Sequence, residues 1–377
     1  MVIISMFLLT GCVNLKNIQE LTYVLCIGVD YDEETDEYIV YLQAVNFLNV
    51  AKQEGGREPK EVPPWIAVER GQTINLAIEK LYQVSQPALF FGHQRTFLFS
   101  DTVIKKKMNE VMRDLGRNKS VRHTVYLYGT DQPIKDILNV QALFFYPPIY
   151  NILLYPVEVA GDTPLIKPIR LREFTSRYFE PVGGIGIPAL TIDKKSWETG
   201  DKKYDTLKIK GGYFFRSKEF RGYLSRKDVT GLKWTNPSPN YNTMSIKEDG
   251  QAVITFRINA PSIKVKLNKK EGKPTFTLKG KADVEIMEKV KDLPYKKMKQ
   301  MLDKELRNDI ERTFEKGMEK KIDIYELGEK WFRYHLNDYQ QYKKEYGNEF
   351  YLDRESITDI KMDVRIIHTN SYKYKYK

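Results

Sequence analysis

Two apolar segments near the start of the chain decide the fold. Residues 22–30 read TYVLCIGVD and residues 37–47 read EYIVYLQAVNF, and both are rich in β-branched and aromatic side chains. This composition is typical of β-strands. Residues 31–36, which read YDEETD, form an acidic turn between them. The pattern therefore predicts a β-hairpin.

Helices and further strands alternate after this hairpin. From Thr73, apolar residues recur at helical spacing, and a second helical pattern follows Asp101, a candidate N-cap. Strands are predicted at Thr96–Phe99 and Thr124–Tyr128. The apolar faces of the two helices consist of Ile74, Ala77, Ile78, Leu81 and Val84, and of Val103, Ile104, Met108, Val111, Met112 and Leu115. This alternation predicts an α/β or α+β domain.

The last third of the chain has a different pattern. Residues 251–286 alternate as strands, and a long helix is predicted after Pro294. Asp303 and Arg307 are four residues apart on the exposed side of this helix, so we expect an ion pair between them. The apolar face of the helix consists of Met298, Leu302, Leu306, Ile310 and Phe314.

A further helix and a closing strand are predicted near the end of the chain. Asp323 and Glu326 have the spacing of a capping box, and Ile322 with Leu327 has that of a hydrophobic staple. A final strand is predicted at Ile360–Ile367. The predicted fold class is α+β: a multidomain, mixed α/β protein whose several subdomains contain mixed or antiparallel sheets packed against helices.

Composition excludes several classes of protein. The 377 residues carry a formal charge of +11, 41% are hydrophobic, and 25 Tyr, 18 Phe and 4 Trp supply ample core material. Intrinsic disorder is therefore disfavoured. No uninterrupted apolar run approaches the roughly 20 residues that a membrane-spanning helix needs. Two cysteines do not make a disulfide framework.

The first twelve residues resemble an export signal. Residues 1–9 read MVIISMFLL, and Thr10 and Gly11 precede Cys12, as in a bacterial lipobox. We therefore predict a signal peptide over residues 1–11 and lipid attachment at Cys12, as S-diacylglycerol with an N-palmitoyl group. Two acyl chains anchor a protein stably in a membrane where one does not. No basic residue precedes the apolar run, so we expect the natural start to lie upstream; the alternative is a buried N-terminal strand.

Two other segments leave alternatives open. Residues 143–168 are rich in proline and apolar side chains, which favours a connection buried between domains over a surface that meets a partner or the membrane. Residues 264–321 hold 18 Lys and Arg against 11 Asp and Glu, most of the surplus charge. On an exported protein such a face would lie near anionic lipids or wall polymers, and nucleic acid would be out of reach. A solvated face without a partner is the other interpretation.

No catalytic or metal-binding motif is present in the sequence. The four histidines have no metal-ligand spacing, and nucleophile-elbow, P-loop and zinc-protease motifs are absent. Gly183–Gly186 is a weak phosphate-loop candidate, and Asp30 with Asp32 is better explained as turn residues than as an acid–base pair. We expect His93 to be structural and Cys26 to be a small buried hydrophobe. The sequence predicts neither an enzyme nor a cofactor or metal site.

These motifs, taken in order, resemble the Ger(x)C lipoproteins, the C subunits of spore germinant receptors. No single motif is specific, but their order extends over nearly the whole chain. Tyr339 and Tyr346 depart from the family pattern, because relatives often carry Trp there. The resemblance rests on Cys12, Ile27–Asp30, Tyr38–Gln43, Glu69–Ile74, Ala77, Leu89–His93, Met112–Asp114, Gly211–Phe215, Gly222–Leu224, Gly231–Trp234, Ile322–Ile324 and Leu327–Glu329.

The resemblance implies a non-enzymatic lipoprotein on the outer face of the spore inner membrane of a Gram-positive spore former. The implied partners are the integral-membrane A and B subunits of the receptor, together with membrane lipid through the anchor, and no nucleic acid. It also implies an N-terminal domain over residues 12–203, with an α/β part at 12–140 and a proline-rich connecting part at 141–203. A C-terminal domain would then span 204–370, with a tail at 371–377.

Two other functions fit the composition. A solute-binding lipoprotein that delivers a small nutrient to a membrane transporter needs a cleft lined by aromatic and polar groups, which the tyrosine-rich sequence permits. A cell-wall hydrolase needs paired carboxylates in a groove. The germination subunit is the prediction, and the solute-binding protein is the alternative.

Overall fold

A computed structural model describes residues 21–45, 63–118, 121–156, 165–235, 242–269 and 272–368. The predicted signal peptide, Cys12 and the tail at 371–377 lie outside the described residues. The described part folds into two mixed sheets packed with helices, which confirms the predicted α+β class. No described helix combines the length and the hydropathy needed to cross a membrane.

The first sheet contains ten strands in the described part of the chain. Eight lie in the order β10-β9-β8-β6-β5-β1-β2-β3, while β4 pairs with β1 and β7 with β6. The strands are β1 (Leu21–Asp32), β2 (Glu37–Val45), β3 (Trp65–Gly71), β4 (Ala88–Phe90), β5 (Thr96–Ser100), β6 (Tyr126–Thr130), β7 (Ile169–Arg170), β8 (Ile185–Thr199), β9 (Lys202–Arg216) and β10 (Glu219–Ser225).

The predicted hairpin is confirmed as β1 and β2, which pair antiparallel from Tyr23 opposite Val45 to Asp32 opposite Glu37. Asp32 closes the turn by accepting a hydrogen bond from the backbone N–H of Glu34 at 3.0 Å. β1 also pairs in parallel with β5, so it lies inside the sheet. Both of its faces are buried, which explains its nearly continuous apolar sequence.

Helices cover both faces of this sheet. Met108 and Val111 pack with Phe97 and Phe99 on one face, and Ile137 packs on the other with the side chains of alternate strand residues. The helices of this part are α1 (Ile74–Val84), α2 (Met108–Arg117, after a π-helical turn at Val103–Lys107), α3 (Ile134–Asn139) and α4 (Leu171–Tyr178). The predicted apolar face of α2 is confirmed as buried. On α1, Ile74, Ala77 and Leu81 are buried, but Val84 at the end of the helix is 67% exposed, so its place on the buried face was wrong.

The side chains that cap these two helical segments are those of Thr73 and Ser100. The Thr73 side chain caps α1 by accepting from the backbone N–H of Leu76 at 3.2 Å. Asp101 is not the cap of the second helical segment, so that prediction was wrong. The Ser100 hydroxyl accepts instead from the N–H of Val103 at 3.2 Å. Asp101 pairs with Lys105 one turn later, because the helix already includes it.

The second sheet has the order β11-β12-β13-β14, with β13 and β14 parallel. The predicted helix after Pro294 is confirmed, and its predicted apolar face is buried. The strands are β11 (Asn242–Glu248), β12 (Gln251–Lys269), β13 (Thr275–Lys289) and β14 (Ile357–His368); the helices are α5 (Leu232–Thr235), α6 (Tyr295–Glu319), α7 (Leu327–Tyr334) and α8 (Leu336–Tyr346).

The predicted ion pair between Asp303 and Arg307 was wrong. Arg307 forms its ion pair with Asp359 at 3.8 Å, and a buried oxygen of Asp303 has no hydrogen-bond partner among the described residues. Tertiary packing brings β14 against α6, and burial raises the pKa of Asp303. Asp303 is therefore not on the freely solvated side of the helix.

The predicted capping box is half confirmed. Asp323 accepts hydrogen bonds from the N–H groups of Leu327 at 2.8 Å and Gly328 at 2.7 Å, so it caps α7. Glu326 does not reach back to Asp323; its backbone is left-handed (φ 55°) and its carboxylate pairs with Arg177 of α4. This pair joins the two halves of the molecule.

The predicted boundary at residues 203 and 204 falls inside β9, because β9 and β10 extend the first sheet to Ser225. The division into domains stays a prediction. The β8–β9 hairpin and β10 lie where the two sheets approach each other, and residues of these strands line several cavities.

Candidate interaction cleft

A cleft of about 1220 Å³ opens at the junction between the two sheets. One wall is the connecting segment around residues 141–152, a second is the β8–β9 hairpin, and a third is the segment 225–233. Clefts of this size are large enough to enclose a small molecule or a peptide segment. The cleft is therefore the candidate functional site of the described residues.

An exposed aromatic cluster lies where the first wall meets the second. Phe144 is 68% exposed and Trp197 is 47% exposed, and their ring centres lie 6.0 Å apart, edge to face. Tyr146 lies 6.3 Å from Phe144, and Tyr150 lies 5.6 Å from Tyr146. Aromatic side chains that remain exposed in mutual contact are typical of interaction surfaces.

The backbone of this cluster is strained. Phe144 and Phe145 have φ values of 60° and 59°, in the left-handed region that bulky residues rarely adopt. Each such residue costs on the order of 1–2 kcal/mol. The surrounding structure holds this conformation in place. The ring centres of Phe145 and of Tyr204 on β9 lie 6.4 Å apart, edge to face.

Buried anchors at the end of the segment hold the loop. The Thr96 hydroxyl donates to the carbonyl of Leu153 at 2.5 Å, and the Tyr128 hydroxyl donates to that of Ile152 at 2.9 Å. Leu153 and Leu154 are buried against the first sheet. Within the described residues, the predicted connecting segment is buried at Leu153 and Leu154 and exposed at Phe144, Tyr146 and Tyr150, and a contact of the exposed part with a partner stays a prediction.

The second wall, the β8–β9 hairpin, has an open strand edge. β10 ends at Ser225, whose partner is Gly211, and the carbonyl of Lys210 still accepts from the N–H of Arg226 at 3.0 Å. Residues 202–209 of β9 therefore have β8 on one side and no strand on the other within the described residues. Backbone N–H and C=O groups at such an edge are ready to pair with another extended chain. Four consecutive residues of this edge, Thr206–Ile209, line the cleft.

The cleft is positively charged. Its described lining includes five cationic side chains and no carboxylate: Lys208, Lys210, Arg226, Lys227 and Lys233. Three of them have carboxylate partners outside the lining: Lys208 pairs with Asp193, Lys210 with Asp131 and Lys233 with Asp309. The Lys208 hydrogen bond holds the pKa of Asp193 well below its usual range. Arg226 and Lys227 form no ion pair with a described residue.

A buried polar network supports the third wall. Asp309 of α6 is 2% exposed and accepts from Lys233 Nζ at 2.6 Å and from Trp234 Nε1 at 3.4 Å. Its other oxygen accepts from the Thr230 hydroxyl at 3.0 Å and from Arg312 at 2.6 Å. One carboxylate therefore fixes the segment that carries the cleft residues 225–233 to α6.

Among the residues singled out from the sequence, the two cysteines and His93 have distinct positions. Cys12 lies outside the described residues, so lipid attachment there stays a prediction. Cys26 is fully buried, and burial raises the pKa of its thiol, as a structural cysteine requires. His93 packs edge to face on Tyr23 at 5.2 Å and contacts Phe90 at 5.8 Å, in keeping with the structural role expected of it.

The weak catalytic candidates have structural explanations. Gly183 donates its N–H to the Tyr351 hydroxyl at 2.9 Å, and Gly184 packs against the backbone of Asp323, so this glycine stretch seats the two halves together. Asp30 accepts from the N–H of the next residue, and Asp32 closes the hairpin turn. The described residues contain no group of three or more His, Cys, Asp or Glu side chains placed to hold a metal ion.

Sequence reasoning missed most of this cleft. Its aromatic wall was singled out only as a possible partner surface, and Trp197, Arg226 and Lys227 were not singled out at all. A Trp between lysines in the middle of a β-hairpin, in the stretch KKSWETGDKK at residues 194–203, was the available signal. The positions 144, 197 and 226 are far apart in sequence, so only the fold brings them together.

Two protein families match the chain in succession. Residues 14–192 match the family described as "Spore germination protein N-terminal domain". Residues 210–370 match the family described as "Spore germination B3/ GerAC like, C-terminal". Together they include the second sheet and most of the first, and residues 193–209 of the β8–β9 hairpin lie between the two matches.

Relatives and a solved structure agree with these matches. The chain is 23% identical over 279 residues to "Spore germination protein A3" of Bacillus subtilis, covering 73% of this chain and 69% of that protein. It is 24% identical over 289 residues to "Putative spore germination protein YfkR" of the same organism, covering 74% and 72%. The crystal structure of the GerBC protein has the same fold, with a TM-score of 0.53 and 18% identity over 91% of this chain and 96% of that one.

Proposed function

Because this chain belongs to the spore germination family of GerAC-like proteins, we propose that it is the C subunit of a germinant receptor. The observation that carries the proposal is the match of both germination-protein domains, in order, along one chain. The subunit acts without catalysis, in assembly or signalling with integral-membrane A and B subunits. It is required for nutrient-triggered germination of the spore.

Its proposed location is the outer face of the spore inner membrane, where a diacylglycerol group on Cys12 anchors it. The lipobox of Thr10, Gly11 and Cys12 supports this location. The net charge of +11 supports it too, since anionic leaflets attract cationic proteins.

The cleft is the surface that we propose for contact with a partner subunit. Three observations support this choice: exposed aromatic rings, a β9 edge open over residues 202–209, and five cations without a carboxylate in the lining. An extended, acidic segment of a partner would satisfy all three, because it pairs with the edge and its carboxylates pair with Arg226 and Lys227, the two lining cations without an ion pair to a described residue.

The test compares spores that carry defined variants of this chain. A deletion strain is complemented with the wild type, with Cys12→Ala, or with the double variant Arg226→Gln/Lys227→Gln. The control is Lys264→Gln/Lys266→Gln, which removes the same charge from exposed positions of β12 outside the cleft. Germination is monitored as the fall in absorbance after nutrient addition, and a non-nutrient trigger checks that the spores are intact.

We expect the deletion to abolish the nutrient response alone, and Cys12→Ala to remove most of it. The cleft variant is expected to lose co-purification with the A and B subunits from detergent extracts, while the control keeps it. A normal nutrient response of the deletion strain would overturn the receptor function. Normal co-purification of the cleft variant would overturn only the cleft assignment.

Calorimetric titration of the purified chain with amino acids and sugars distinguishes the alternative function, a solute-binding lipoprotein, from the receptor subunit. A receptor scaffold gives no heat of binding in this experiment. Saturable binding, combined with a normal germination response in the deletion strain, would favour the alternative.

A further inference from the structure

A second cavity, of about 540 Å³, lies beside the turn that joins β9 to β10. It is bounded by this turn, by the side chains of α8 and by residues 347–351. Arg216, the last residue of β9, lines it and is only 7% exposed. The cavity is separate from the interaction cleft, since the described linings share no residue.

Arg216 is a buried cation whose Nε lacks a hydrogen-bond acceptor. Its Nε has no hydrogen-bond partner among the described residues, and no described carboxylate forms an ion pair with it. Its one ring contact is with Phe350, whose centre lies 4.6 Å from the guanidinium carbon. Burial first, and the neighbouring Arg221 second, lower the pKa of Arg216. A buried charge in this condition is expensive, and natural proteins normally pair it.

Two more polar groups of the same cavity lack partners. The buried Nε of Arg221 and the buried hydroxyl of Tyr342 have no hydrogen-bond partner within the described chain. Both groups can donate a hydrogen bond. Three donor groups without acceptors thus line a single cavity, and what they have in common is a need for an acceptor.

The rim of the cavity adds cations. Lys218, Lys321 and Lys343 line it, are exposed and form no ion pair with a described residue. Two acidic residues of the lining pair with cations outside it, Glu180 with Arg333 and Glu349 with Lys273, and the third, Glu219, pairs with Arg221 of the lining itself. Arg216, Lys218, Lys321 and Lys343 remain without an ion pair to a described residue. The unmatched charge that faces the cavity is therefore positive.

Two of these lysines, Lys218 and Lys321, have a strained, left-handed backbone conformation. Lys218 has φ 67° and comes after Ser217 with φ 52°, so both positions of the β9–β10 turn are left-handed without glycine. Lys321 also has a left-handed backbone, with φ 56°. Strain of this kind persists where the surrounding structure imposes it and concentrates at binding sites.

We propose that this cavity binds a small anion that carries a phosphoryl group, with Arg216 as its central donor. A guanidinium donates in a planar fork that matches phosphate oxygens, and lysines at the rim add point charges. Several cations around one cavity fit a multivalent oxyanion better than a single carboxylate. The proposal rests on this cavity alone and is independent of the receptor function.

The experiment uses the full-length purified chain, and its probe is inorganic phosphate. Thermal unfolding is measured with increasing sodium phosphate against sodium chloride of equal ionic strength, for the wild type and Arg216→Met. The control, Arg113→Met, removes one exposed charge on α2. A second arm measures binding to vesicles of phosphatidylglycerol and of phosphatidylcholine, which distinguishes a lipid headgroup from the free ion.

We expect phosphate to raise the unfolding temperature of the wild type and of Arg113→Met but not that of Arg216→Met, with affinity falling at least tenfold. Without phosphate, Arg216→Met should be as stable as the wild type or more so, because a buried unpaired charge is removed. Vesicle binding that requires both phosphatidylglycerol and Arg216, without an effect of free phosphate, would identify the source as a lipid headgroup.

Equal responses of all three proteins to phosphate would overturn the proposal. So would a destabilised Arg216→Met together with a wild type that responds to neither phosphate nor vesicles, because Arg216 would then be structural. If Arg216→Met does not fold, Lys218→Gln/Lys343→Gln replaces it, since both side chains are exposed. Its matched control is Lys264→Gln/Lys266→Gln, and an unchanged phosphate response of the rim variant then refutes the site.

Discussion

Asp309→Asn is expected to destabilise the C-terminal half of the protein severely. Asp309 is 2% exposed and receives four hydrogen bonds, two of them from the cationic groups of Lys233 and Arg312. The amide of Asn keeps the shape but turns an N–H₂ donor toward the Lys233 ammonium or the Arg312 guanidinium. Arg312 is half exposed and can be solvated, whereas Lys233 is nearly buried and loses its carboxylate partner.

Breaking a buried pair in this way costs about 3–5 kcal/mol. With a urea dependence of about 2 kcal/mol per molar, the midpoint of unfolding falls by about 2 M. The assay is urea unfolding monitored by tryptophan fluorescence, for which Trp234 lies within the network. The control is Glu319→Gln, which removes an exposed partner of Lys316 and costs less than about 1 kcal/mol.

A double variant isolates the charge. In Asp309→Asn/Lys233→Met the buried ammonium that lost its carboxylate is gone, so we expect at least half of the lost stability to return. A loss below about 1 kcal/mol for Asp309→Asn would refute the reasoning. So would a double variant that is less stable than Asp309→Asn, because the cost would then come from packing and not from the buried charge.

Three other predictions test different parts of the molecule. Burial raises the pKa of Glu326 to about 7, above the solvated value of about 4.3. The native state therefore holds the proton more tightly than the unfolded state, and the free energy of unfolding falls as pH rises between those values. The urea midpoints at pH 5 and pH 8 should differ less for Glu326→Gln than for the wild type. A Cβ on Gly129 would lie 2.4 Å from Ile104 Cδ1 and 2.6 Å from the Tyr213 ring, so Gly129→Ala should lower the free energy of unfolding by about 1–3 kcal/mol. Gly116 of α2 has open space around it, so Gly116→Ala should raise the free energy of unfolding by about 0.5–1 kcal/mol in the same urea assay. Cys12→Ala should abolish metabolic labelling with a clickable fatty acid, and label that persists in the variant would contradict lipid attachment at Cys12.

The local elements of the fold were predictable where the periodicity of the sequence is strong. The first hairpin, the apolar faces of α1, α2 and α6, and the closing strand arise from two-residue and 3.6-residue periods. The errors were made where a side chain has competing partners. Ser100 takes the capping role expected of Asp101, which lies inside the helix and pairs with Lys105. Arg307, the partner expected for Asp303, pairs with Asp359 of β14 instead.

The sequence by itself determined the α+β class, the family resemblance and the absence of a recognisable catalytic motif, because these depend on residue types and spacings along the chain. Only the tertiary structure decided where function can reside. The open edge of β9 exists because β10 ends at Ser225, and the buried guanidinium of Arg216 is unpaired because β9 ends beneath α8. Neither burial nor the lack of a partner is a property of a residue and its sequence neighbours; both arise from surfaces that meet across more than 100 residues of chain.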